Sequence, residues 1–150
     1  MVFRDYPLPI HANAQKAAEA AGCADEQGKF WEMHGKLFAN QRALELASLK
    51  QYAGELGLDQ KKFDECLDTG KREAAIKQDI ADGAAAGVTG TPGIFINGRF
   101  VNGALPFDAL AKLIDEELVK KNLPVPAKAK PMETTPSAAS TGGSSAPSKP

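Results

Sequence analysis

Val88-Thr89-Gly90-Thr91-Pro92 leads directly into Gly93-Ile94-Phe95-Ile96-Asn97-Gly98-Arg99-Phe100-Val101. An apolar run enters an Asn-Gly pair and leaves as a second apolar run. Both central residues of a type I′ turn need positive φ, which Asn and Gly tolerate, so this stretch predicts a β-hairpin. A proline at the mouth of such a strand cannot donate to the ladder. Pro92 therefore marks a strand start or a special turn.

Outward from the hairpin, the pattern is largely helical. Met1 to Leu8 reads as a short strand that ends at a proline. Five helical stretches follow. Ala12 to Ala21 is alanine-rich, with Gly22 as its expected C-cap. The next runs from about Asp25 to Asn40, with Asp25 and Glu26 as an acidic first turn. Phe30, His34, Leu37 and Phe38 recur there at helical spacing, and Trp31 and Met33 widen the stripe into an expected core face. The third starts at Ser48 and ends at Gly57, the fourth runs from Asp59 to Gly70, and the fifth from about Lys71 to Ala86. After the hairpin, a last helix begins at about Pro106, with Phe107, Leu110, Leu113, Ile114 and Leu118 on one face.

With 43% hydrophobic and 25% charged residues over 150 positions, the composition fits one soluble globular domain with a modest core. The net charge of −1 provides no strong field for nucleic acid or an anionic membrane. From residue 122 the texture changes to Pro, Ala, Ser and Lys. Lys128, Lys130 and Lys149 against Glu133 give that segment a net +2, leaving −3 for the rest. A segment so poor in large apolar residues cannot offset its ordering entropy, so 122–150 is expected to be a disordered tail. No apolar run approaches the ~18 residues of a membrane helix. Arg4, Asp5 and Pro7 interrupt the apolar residues at the start too early for a secretory signal.

Three motifs then carry a family resemblance. Phe3-Arg4-Asp5-Tyr6-Pro7-Leu8-Pro9-Ile10-His11 resembles the second strand, and its exit, of DsbA-like thiol-disulfide oxidoreductases of the thioredoxin superfamily. Glu26-Gln27-Gly28-Lys29-Phe30-Trp31-Glu32-Met33-His34 resembles a helix of that family's inserted helical domain, and Gly87 to Gly98 its cis-proline loop and hairpin. The resemblance implies an α/β, thioredoxin-like fold over residues 1–121, with a helical insertion at about 11–86. In the family, a strand, a Cys-x-x-Cys and the helix carrying it precede the strand at residues 2–6. This chain contains no Cys-x-x-Cys. The fold is thus expected to lack its first strand and active-site helix, as in a fragment or a chain whose start was assigned too late.

The function implied is protein thiol-disulfide exchange. One low-pKa thiolate engages the substrate, and a second cysteine resolves the mixed disulfide. Without that pair, these 150 residues are expected to be inactive alone, with no catalytic residue to name. By resemblance, Pro92 is cis, and the backbone of Thr91 pairs with a bound substrate chain in β fashion. The implied partners are cysteine-containing protein substrates and a redox partner, with no cofactor. The implied location is extracytoplasmic, in the periplasm or cell envelope. A redox-inactive thioredoxin-like peptide-binding module is the alternative from another functional class. A glutathione-dependent relative is a weaker third, with no glutathione-site signature in the sequence.

Cys23 and Cys66 leave three readings open: a structural disulfide tying the helical insert, a pair of buried free thiols, or a redox pair. A bridge between them would contribute about 4 kcal/mol in the chain-entropy description. Asp25, Glu26, Asp64, Glu65 and Asp68 lie close by in sequence and disfavour a thiolate, which argues against redox work. His11 and His34 fit no common zinc spacing with these cysteines, so no metal site is expected. His34 reads as a hydrogen-bonded core residue, and His11 lies at the approach to a helix. The aromatic stripe at 30–38 reads as core, with a peptide groove as the other possibility.

Overall fold

The computed structural model describes residues 1–126. Among them are six helices and one two-stranded antiparallel sheet. In chain order they are α1 (Ala14–Asp25), α2 (Phe30–Ala39), α3 (Leu46–Glu55), α4 (Gln60–Asp68), α5 (Glu73–Ala85), β1 (Gly93–Ile96), β2 (Arg99–Asn102) and α6 (Phe107–Lys120). The architecture is mixed α/β, with the helices α1–α5 between the N-terminal segment and the hairpin. The tail expected at 122–150 falls, from residue 127 onward, outside the described residues.

The hairpin forms as its sequence dictates. Gly93 pairs with Asn102 and Ile96 with Arg99, so Asn97-Gly98 is a two-residue turn. Both residues have positive φ, 50° and 86°, the condition for a type I′ connection. Helix α6 packs against β1 and is tied to β2 by the Arg99–Glu116 ion pair at 3.0 Å, and none of its residues is fully buried. Leu110, Leu113 and Leu118 are half-buried, whereas Phe107 and Ile114 remain exposed.

The main core lies among α1–α4. Phe63, Met33, Leu49 and Leu67 are buried there. Ala17, Ala20, Ala21 and Ala24 line the buried side of α1, and their small side chains permit close approach of α2 and α4. One carboxylate is buried with them. Glu19 is 2% exposed and accepts from the Lys16 Nζ at 2.6 Å and the Gln15 amide at 3.2 Å. Lys16 also donates to the Leu67 carbonyl at 3.2 Å, so this ion pair ties α1 to α4.

Cys23 of α1 and Cys66 of α4 are joined in a disulfide, with their Cα atoms 5.9 Å apart. Both are buried, and no free cysteine remains. Of the three readings of these residues, the free-thiol one is thereby set aside.

Several expectations are corrected. Residues 2–6 form no strand. Among the described residues no neighbouring strand supplies a ladder, and side chains hold this extended segment instead. The Asp5 amide donates to Asp79 at 3.0 Å, the Arg4 guanidinium pairs with the Asp79 carboxylate, and the Tyr6 hydroxyl donates to the Val88 carbonyl at 3.0 Å. Gly22 does not end α1. A Cβ there would lie 2.8 Å from Arg72 Nε, so its smallness serves packing, and the left-handed stop is Gly28 at φ 72°. Asp25 and Glu26 therefore close α1 rather than open α2. Ser48 lies inside α3, with its hydroxyl on the Glu45 carboxylate at 2.6 Å. Asp59 does cap α4, accepting from the Lys62 amide at 3.2 Å. Pro106 is the N-cap of α6 rather than its first helical residue.

Candidate functional site

The loop between α5 and β1 is fixed at both ends. Gly87, at φ 86°, turns the chain out of α5, and the Val88 amide donates back to the Gly83 carbonyl at 2.9 Å. Val88 is buried, and its carbonyl takes the Tyr6 hydroxyl. A Cβ on Gly83 would stand 3.0 Å from the Tyr6 ring, so glycine lets the ring lie against α5. At the other end, the Gly103 amide donates to the Pro92 carbonyl at 2.9 Å, which closes the base of the hairpin. A Cβ on Gly93 would meet Val88 at 3.2 Å and Phe100 at 3.3 Å. Glycine is what allows the strand to begin this close to the loop.

Thr91 and Pro92 stand exposed between these fixed ends, and the peptide bond between them is cis. The Thr91 amide and carbonyl have no hydrogen-bond partner among the described residues. An unpaired donor and acceptor on a rigidly framed loop, continuous with β1, form an open edge. An extended polypeptide can add to such an edge through main-chain hydrogen bonds.

The cysteines lie elsewhere. Cys23 is 1% exposed and Cys66 4% exposed, both inside the helical core. Thiol-disulfide exchange requires a thiolate to reach a sulfur along an open approach, and this burial denies it.

A second surface surrounds α2. Phe3, Phe30, Trp31, His34 and Phe38 form a continuous aromatic cluster, with His34 centred 4.5 Å from Phe38 and 5.1 Å from Phe3. Phe3 is 41%, Trp31 49% and Phe38 61% exposed. The expected core stripe is thus split. Met33 and Leu37 enter the core and Phe30 packs against its edge, while Trp31 and Phe38 remain exposed. His34 is half-buried, and its ring makes no hydrogen bond among the described residues, contrary to its expected role. His11 shapes the approach to α1, its amide donating to Leu8 and its carbonyl accepting from Ala14, each at 3.0 Å.

The sequence reading missed one charged group beside this surface. Burial, reinforced by the Asp79 charge and opposed by Arg72, pushes the Asp5 carboxyl up to about 6. An acid set between aromatics in a strand-like stretch was the signal available for it.

Comparisons with known proteins agree with the fold. A thioredoxin family model matches residues 1–116. The chain is similar to the Na(+)/H(+) antiporter NhaA 3 of Salinispora tropica, with 43% identity over 114 residues, which is 75% of this chain and 18% of that protein. It is similar to the Na(+)/H(+) antiporter NhaA 1 of Salinispora arenicola, with 41% identity over the same shares. It is also similar to the Na(+)/H(+) antiporter NhaA of Herminiimonas arsenicoxydans, with 38% identity over 65% of this chain and 16% of that protein. The chain thus spans less than a fifth of the length of these relatives. Because the thioredoxin match covers most of the chain and the fold agrees with it, the chain belongs to the thioredoxin family.

Proposed function

We propose that this chain supplies the substrate-binding loop of a DsbA-like thiol-disulfide oxidoreductase that acts on protein cysteines. The observation that carries this reading is the exposed Thr91–Pro92 loop, with the backbone donor and acceptor of Thr91 unpaired among the described residues. An extended segment of a cysteine-containing protein pairs there in β fashion. The reacting thiols are not Cys23 and Cys66, which are bonded to each other and buried. They belong to another polypeptide segment or to a redox partner. The disulfide supports an extracytoplasmic setting, because such bonds persist in oxidising compartments.

Antiporter activity is not carried over from the relatives. No helix among the described residues is long and apolar enough to cross a membrane. The matched region is a small share of those proteins.

The test is titration of the isotopically labelled chain with an extended cysteine-containing peptide, followed by NMR. The expected result is shifts centred on the Thr91 amide and its neighbours, abolished by Thr91→Pro, which removes the amide donor. Shifts confined to other surfaces would overturn the assignment. A second reading, a redox-inactive peptide-binding module, is favoured by the burial of both cysteines. The two readings differ in oxidation assays on the protein isolated from its native cells. Acceleration of substrate oxidation supports the oxidoreductase, and peptide binding without acceleration supports the module.

A further inference from the structure

A cleft of about 350 Å³ lies where the N-terminal segment, the C-terminal end of α1, the start of α2 and the α5 region meet. Its walls combine three features that independently favour a cation. The first is charge: Asp5, Asp25 and Asp79 line it against Arg72, with Arg4 paired to Asp79 beside them, which leaves the wall net negative by one. Arg72 is partly committed already, with its guanidinium 3.7 Å from Glu26. The second is the aromatic wall of Phe3, Phe30 and Trp31. Phe30 and Trp31 pack edge to face with centroids 5.0 Å apart, and Trp31 is half exposed. Aromatic faces attract ammonium and guanidinium groups and cover their aliphatic stems. The third is the end of α1, whose dipole places partial negative charge at Asp25 and beyond.

The protein itself illustrates the chemistry. At this cleft the Arg4 guanidinium is seated on the Asp79 carboxylate. The Asp5 carboxylate, from the adjacent residue, accepts no hydrogen bond among the described residues and is half-buried. One acid is occupied by a guanidinium, and its neighbour feels the Arg72 charge but accepts no hydrogen bond among the described residues.

We propose that this cleft binds the basic side chain of a polypeptide, arginine in preference to lysine. The cation rests on Asp5 and the stem lies along Trp31 and Phe3. Arginine is favoured because its planar fork matches a carboxylate and stacks on aromatic faces. The inference rests on the cleft alone and stands apart from the reading of the Thr91 loop.

The test uses the full chain and two probes, acetyl-glycyl-arginyl-glycine amide and its glutamate counterpart. Trp31 is the only tryptophan, so its emission reports on this wall directly. The arginine peptide is expected to change Trp31 emission saturably, to weaken several-fold in 0.5 M salt, and to lose at least tenfold in affinity with Asp5→Asn. The glutamate peptide is expected to leave emission unchanged. As a readout that needs no variant, the Asp5 carboxyl carbon and the Trp31 indole N–H of the wild-type chain are expected to shift together in NMR titration. Equal responses to the two peptides, undiminished arginine binding by Asp5→Asn, or a wild-type titration that moves neither nucleus would overturn the proposal.

Discussion

Cutting the Cys23–Cys66 bond tests whether the helical core depends on its staple. The two residues are 43 positions apart. In the chain-entropy description, closing a loop of that length removes roughly 13 cal/mol/K from the unfolded chain, about 4 kcal/mol at 25 °C. Two perturbations separate the crosslink from packing. Reduction of the wild-type chain leaves both sulfurs in the core, so its loss of stability reports the crosslink alone. The double variant Cys23→Ala, Cys66→Ala removes the buried sulfurs as well and should lose about 1 kcal/mol more, through lost contacts and small cavities. For a domain of this size, 4 kcal/mol corresponds to a fall in Tm of about 15 °C. The assay is thermal and urea unfolding by circular dichroism, with and without reductant. Because the two residues are only 1% and 4% exposed, mild reductant should act slowly on the native chain and quickly once urea opens it. A loss below about 1 kcal/mol on reduction, or immediate reduction of the folded chain, would refute the structural role.

Four further outcomes follow from the geometry. Burial raises the Asp5 carboxyl to about 6, so the folded state favours its protonated form. Its contribution to stability is full below the unfolded value of about 3.9 and is lost as pH rises through about 6. For Asp5→Asn the rise in Tm between pH 7 and pH 5 should therefore flatten, Asp79, Arg72 and Arg4 being the charged groups around it; an unchanged slope would show that Asp5 is solvated like a surface acid. Tyr6→Phe removes the hydroxyl that holds Val88 and should cost about 1 kcal/mol in urea unfolding, with faster amide exchange in the loop at 88–92. Gly98→Ala places a side chain at φ 86° and should cost about 1–2 kcal/mol, whereas a neutral result would mean that the turn is not type I′ in solution. Phe63→Ala empties a site that is 0% exposed and should cost about 3–5 kcal/mol; calorimetry showing less than 1 kcal/mol would contradict the placement of the core.

Local chemistry was readable directly from the sequence. Asn97-Gly98 determined the hairpin because positive φ at two adjacent residues is a property of those residues, and Asp59 determined the start of α4 because its carboxylate reaches an amide three residues on. Gly57, Gly70 and Gly87 stop helices for the same local reason, each at positive φ. What required other parts of the chain could not be read this way. Gly22 looks like a stop until Arg72, fifty residues later, is seen against it. Residues 2–6 have the texture of a strand, but a strand exists only through a partner's hydrogen bonds, and here the segment is held by Asp79 and Val88 instead. The aromatic stripe of α2 has helical periodicity, yet periodicity does not say which neighbours will cover a face: Met33 and Leu37 are buried in the core, Phe30 packs at its edge, and Trp31 and Phe38 stay exposed. The same holds for chemistry. Two cysteines can be counted in the sequence, but their bond depended on how α1 meets α4, and the raised Asp5 carboxyl on the burial and the charges that α5 brings beside it.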